Sequence, residues 1–180
     1  PRLCQSEAGE GHDVELTCLA ARSGIQGVRL DVHPQWQLFK RFAVSPSLAK
    51  ALLHKAAHVD VVHNHSLWSM VNVASGWVVP GQGAKLVTSP RGTLTPWALS
   101  NNRRLKRMLW PLQRRALTNA DLLHATSAEE YREIRALRLK APVAIIPNGI
   151  DLPELPAAEQ PLSLGARTLL FLSRIHQKKG

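Results

Sequence analysis

Short β-branched runs alternate with helix-period segments along most of the chain, and this alternation constrains the fold more than any other feature. Residues 14–19, 28–32, 59–63, 85–88, 121–124, 143–146 and 168–172 read as strands. Between them, residues 47–57, 68–79 and 101–117 carry apolar side chains near helical spacing. Ser127 and Glu130 match a capping box, in which hydroxyl and carboxylate reciprocally satisfy orphan amides, so a helix over 128–137 is predicted. Pro111 falls inside the 101–117 pattern, which predicts a kink or a break there. Continuous apolar strands joined through helices imply an α/β, Rossmann-like parallel sheet with helices on both faces.

Ligands of such sheets bind in the loops beyond the carboxyl ends of the strands. The segments to inspect are therefore 63–68, 89–97, 126–129, 147–151 and 173–180. Residues 151–166 hold Pro153, Pro156 and Pro161 and read as an extended connector. The expected organisation is a domain over 1–152, a linker over 153–166 and the start of a second domain over 167–180.

Within those loops, Ser89-Pro90-Arg91-Gly92 is the most specific feature. Pro90 disfavours the α conformation at Ser89, and Gly92 permits a tight turn, so Arg91 is held at the sheet edge. Its guanidinium there suits phosphate or carboxylate, or a structural pairing with an acid elsewhere. His63 and His65 alternate on a strand, so both imidazoles can share one face. Two histidines with no third ligand nearby do not make a metal site. Hydrogen bonding to a hydroxylated substrate, with His65 in the loop, is one reading, and a structural histidine pair is the other.

Asn148-Gly149 is a hairpin signal, but Pro147 argues for a sharp exit from a strand instead. Arg174 and Lys179 follow the 168–172 strand and would suit an anionic diphosphate; a basic tail is the plainer reading. No P-loop, no dinucleotide-binding glycine fingerprint and no G-x-S-x-G elbow is present.

Charge narrows the class of partner. The net charge is +10, and residues 61–120 hold eight Lys and Arg with no Asp or Glu. Such a block attracts phosphate-rich partners: anionic lipid headgroups, nucleotides or nucleic acid. A solvated basic helix face is the alternative. Exposed aromatics interleaved with basic residues, as single-strand binders use, are thin here: only Trp97 and Trp110 stand nearby, so no nucleic acid is expected. Cys4 and Cys18 could form one bridge at most, and a reduced, cytoplasmic chain is the default. No apolar run approaches the roughly 18 residues of a membrane-spanning helix.

Taken together, four blocks resemble the retaining glycosyltransferases of family four, which have the two-domain GT-B fold. They are Ser89–Leu99, Ala120–Glu130, Val143–Pro153 and Arg167–Gly180, in the family's order and spacing. The resemblance implies a transfer of sugar from a nucleotide-sugar donor to a saccharide or lipid-linked acceptor, with retention of configuration and no metal or other cofactor. It also implies bacterial polysaccharide or lipopolysaccharide synthesis, at the inner face of an anionic membrane. Arg174 and Lys179 fall where the family's cations stabilise the departing diphosphate. Arg91 falls where many members place a histidine near the reacting sugar, and an arginine there implies binding rather than proton transfer. Ser89 and His65 would line the acceptor side. By the same resemblance, the chain begins within the family's first helix, without its first strand, and stops early in the second domain, so the segment by itself is expected to be inactive. A basic membrane-surface or nucleic-acid-binding module is the competing reading.

Overall fold

A computed structural model describes residues 2–21 and 24–150. The elements in order are α1 (Arg2–Gly9), β1 (Val14–Cys18), β2 (Val28–Val32), a 3-10 segment (Gln37–Phe42), α2 (Pro46–Lys55), β3 (Val61–His65), α3 (Met70–Val78), β4 (Lys85–Ser89), α4 (Pro96–Ser100), α5 (Arg103–Thr118), β5 (Leu122–Ala125), α6 (Ala128–Ala136) and β6 (Val143–Ile145). Every named strand pairing is parallel, as the strand–helix alternation requires. The fold is α/β and Rossmann-like, with parallel sheets flanked by helices.

Instead of a single sheet, the described strands form two: β1–β2, and β3–β4–β5–β6 in sequence order. The smaller sheet is tied to α2 by Lys55, whose ammonium bonds both Glu15 on β1 and Asp31 on β2. That bond, with a second from His33 at 2.7 Å, holds the Asp31 carboxyl below its usual range. The larger sheet carries the core: Leu86 on β4, Leu123 and Ala125 on β5, Leu117 on α5 and Ile134 on α6 are fully buried.

Local chemistry sets most boundaries. Ser45, Ser69, Thr95 and Ser127 each cap a helix with a side-chain oxygen that accepts an orphan amide. Pro46 and Pro96 occupy first helical positions, where a missing N–H costs nothing. Three expectations are corrected. First, β3 runs to His65 rather than ending at 63, because the backbone of Asn64 and His65 keeps pairing with Thr88 and Ser89 after the apolar run has stopped. Second, of the kink or break expected at Pro111, the break is excluded, because α5 is one helix through that residue. Third, the third helix starts at Met70, after Ser66 and Trp68 have taken left-handed conformations (φ 72° and 74°). The α4 and 3-10 segments had no sequence expectation. Residues 146–150 carry no regular structure, consistent with a sharp exit after β6 rather than a hairpin.

Two compact units divide the chain, Pro1–Pro147 and Asn148–Gly180. All the elements above belong to the first.

Candidate functional site

The carboxyl ends of β3, β4 and β5 lie side by side, and each contributes a polar side chain to one chain of hydrogen bonds. His63 Nε2 meets Ser89 Oγ at 2.7 Å, and Ser89 Oγ meets His124 Nδ1 at 2.9 Å. His124 Nε2 meets the carbonyl oxygen of Ile146 at 2.8 Å. A carbonyl can only accept, so His124 donates from Nε2, and the tautomer with its one hydrogen there accepts at Nδ1. Ser89 must then donate to His124 and accept from His63. The relay has one direction. Ser89 is fully buried and His124 nearly so, which places this relay behind the surface rather than on it.

His65 is the part that reaches solvent. It shares a strand face with His63, their ring centroids 4.1 Å apart. Arg91 Nε donates to His65 Nδ1 over a long 3.4 Å, so a neutral His65 carries its hydrogen on Nε2. Burial, then the charges of His65, His124 and Arg91, lower the pKa of His63 to about 4. Burial and then the Arg91 charge also lower His65 to about 4, though solvent screens this more exposed ring more strongly. At neutral pH, two uncharged imidazoles therefore stand beside a guanidinium.

The loop that carries Arg91 is held from below. Arg91 and Gly92 both adopt left-handed backbone (φ 56° and 71°), which glycine takes freely and arginine only under strain. Glu130, buried on α6, accepts from Gly92 N–H at 2.7 Å, Thr126 N–H at 2.7 Å and Thr126 Oγ1 at 2.8 Å. Burial opposes its charge, but these bonds outweigh it and hold the carboxyl below its usual value. The capping box is thus only half made. Ser127 Oγ accepts from Glu130 N–H at 3.1 Å, but one carboxylate oxygen reaches back past Ser127 to Thr126 and the other holds Gly92 of the neighbouring loop.

A second wall comes from Trp68. Its backbone N–H, turned inward by the left-handed conformation, donates to the buried Gln113 side chain of α5 at 2.8 Å. Its indole N–H donates to the Thr93 carbonyl at 3.2 Å. Lys106 sits 5.2 Å from the Trp68 ring centroid and bonds the Ala98 carbonyl; burial lowers its pKa. Trp68, Lys106 and Gln113 therefore brace the Arg91 loop against α5.

Of the residues singled out in the sequence, His65, Ser89 and Arg91 are brought together here. Arg174 and Lys179 lie outside the described residues. His124, Gln113 and Trp68 were not anticipated. A histidine in an otherwise apolar strand was the available signal for His124, whereas Gln113 is hidden among arginines. Asp121 lies at the amino ends of the strands, accepting from Leu86 N–H at 2.9 Å and Lys85 at 3.1 Å. Neutral donors beside a cation suit a hydroxylated ligand that bears or adjoins negative charge.

Among the described residues, no three His, Cys, Asp or Glu side chains converge as metal ligands, and no helix is long and apolar enough to cross a membrane. Cys4 and Cys18 are free thiols. A family model described as a glycosyl transferase 4-like domain matches residues 2–149. No curated protein matches the chain.

Proposed function

The chain belongs to the glycosyl transferase 4-like family, and on that premise we propose that it transfers a sugar from a nucleotide-sugar donor to a saccharide or lipid-linked acceptor, with retention of configuration. The observation that carries this reading is the neutral His65 beside Arg91 at the carboxyl edge of β3 and β4. His65 Nε2–H donates to an acceptor hydroxyl, and Arg91 binds adjoining negative charge. Arg91 is no proton carrier, since its guanidinium stays protonated in proteins. Ser89 supports His63 from beneath and touches the ligand only through it.

Transfer builds negative charge on the departing diphosphate, and fixed cations stabilise it without further rearrangement. Arg174 and Lys179 are assigned that role, and the reaction needs no metal or other cofactor when two such cations meet the phosphates. The acceptors in view are precursors of bacterial surface polysaccharide or lipopolysaccharide, handled on the cytoplasmic face of the membrane. A basic face on α5 supports that location: Met108 and Leu112 are exposed among Arg104, Arg107 and Arg115.

Sugar transfer by the complete gene product, followed with radiolabelled nucleotide-sugars, tests the proposal. Arg174→Ala should lower turnover by two or more orders of magnitude, in line with removal of a transition-state donor. Arg91→Ala should chiefly raise the acceptor KM. Undiminished transfer by Arg174→Ala would count against the assignment.

A further inference from the structure

Between β2 and α2 the chain makes an excursion that the sugar-transfer site does not use. Six consecutive residues, Trp36 to Arg41, are exposed. Leu38 is 86% exposed, Trp36 56% and Phe39 42%, and none of the three belongs to the core cluster. Trp36 and Phe39 pack on each other, ring centroids 6.3 Å apart, and Lys40 and Arg41 close the same turn.

The base of this excursion is fixed. Trp36 N–H donates to the Val44 carbonyl at 2.8 Å. Ser45 Oγ donates to the Pro34 carbonyl at 2.7 Å and accepts from Leu48 N–H at 3.3 Å, so it closes the loop and caps α2 together. A pinned base with an apolar tip keeps its shape when the tip enters another phase, which lowers the ordering cost of binding.

We propose that the Trp36–Arg41 tip inserts into an anionic lipid surface, with Trp36, Leu38 and Phe39 entering the headgroup boundary and Lys40 and Arg41 meeting lipid phosphates. Three large apolar side chains in water beside two adjacent cations match what an interface offers: apolar depth under negative charge. Tryptophan favours that boundary because its ring is apolar and its N–H polar. Charge complementarity extends past the tip, since residues 32–59 contain no Asp or Glu and hold Lys40, Arg41 and Lys50 besides Lys55, which is taken up by Glu15 and Asp31. A protein partner would be expected to meet such a tip with a groove and acids, and a nucleic acid would leave Leu38 without a partner. The proposal stands on residues other than those of the α5 face and does not need the transferase reading.

The test is co-sedimentation of the chain with phosphatidylcholine vesicles, with and without phosphatidylglycerol, across a salt series. Binding should need the anionic lipid. Leu38→Glu should weaken it by more than tenfold, and Lys40→Gln with Arg41→Gln by roughly 25-fold, about fivefold for each charge lost. Leu38 is so exposed that its replacement should leave the circular dichroism unchanged, which separates lost binding from lost folding. Arg104→Gln with Arg107→Gln on α5 should weaken binding less than the tip variants do. Equal partition of Leu38→Glu and the parent chain, equal binding to neutral vesicles, loss confined to the α5 variant, or a preference for duplex nucleic acid that the tip variants abolish would each overturn the proposal. Sugar transfer that survives in detergent micelles while vesicle binding fails would sink this inference and leave the transferase reading intact.

Discussion

Ser89 shows how much can depend on one hydroxyl. Its hydroxyl hydrogen-bonds both His63 on β3 and His124 on β5, and it is fully buried. Ser89→Ala leaves two imidazole nitrogens without that partner, so urea denaturation should show a loss of about 1–3 kcal/mol. The imidazole NMR signals of His63 and His124 should then shift independently instead of together. Acid should act on His63 and its strand neighbour His65. Their folded pKa values lie near 4, below the usual 6.5 or so, so the unfolded chain takes up protons first as pH falls. Stability is then full above pH ~6.5 and declines toward pH ~4, by at most about 1.4 kcal/mol per pH unit for His63 and less for the more exposed His65. Chemical denaturation repeated across that window checks the sign; a stability that rises on acidification would reverse the argument. His63 and His65 were legible in the sequence because strand alternation alone puts them on one face. His124 and Gln113 were not, because their partners come from other strands and helices, which no local pattern records.

Among the helices, close approach and a missing donor make opposite predictions. Gly76 on α3 faces α5 so closely that a Cβ would lie 2.4 Å from the Cα of Ala116. Backbone cannot yield as a flexible side chain can, so Gly76→Ala should destabilise by about 1–3 kcal/mol or more, seen as a lower urea midpoint. Pro111 lies in the interior of α5, exposed, without the N–H that would bond the preceding turn. Pro111→Ala restores that donor and should raise the melting temperature, with a gain of up to about 3 kcal/mol. The cap of α6 was readable because serine followed three residues later by glutamate has a local mechanism, whereas the caps of α2 and α3 at Ser45 and Ser69 were not anticipated. The course of α5 was harder to read, because its buried positions are Gln113, Ala116 and Leu117, whereas Met108 and Leu112 of the apolar stripe face solvent. Gln113 takes an inner position because the inverted amide of Trp68 needs an acceptor there.

At the scale of the molecule, the strand–helix alternation was enough to give the fold class and parallel pairing. Its division into two sheets was not legible, since hydrophobic pattern names strands without naming neighbours. The net charge of +10 belongs to this scale too. Retention on phosphatidylglycerol vesicles should fall steeply between 0.1 M and 1 M salt as the screening length contracts from about 10 Å to about 3 Å. The residue left bound after screening reports the apolar share. Ile146 is the last residue but one of the first compact unit, and its carbonyl orients every hydrogen from His124 back to His63. Were that oxygen to swing away, His124 could exchange tautomers, Ser89 could rotate, and His63 could hand its hydrogen to the opposite nitrogen. The border of the unit is therefore also a latch on which edge of the His63 ring gives and which receives.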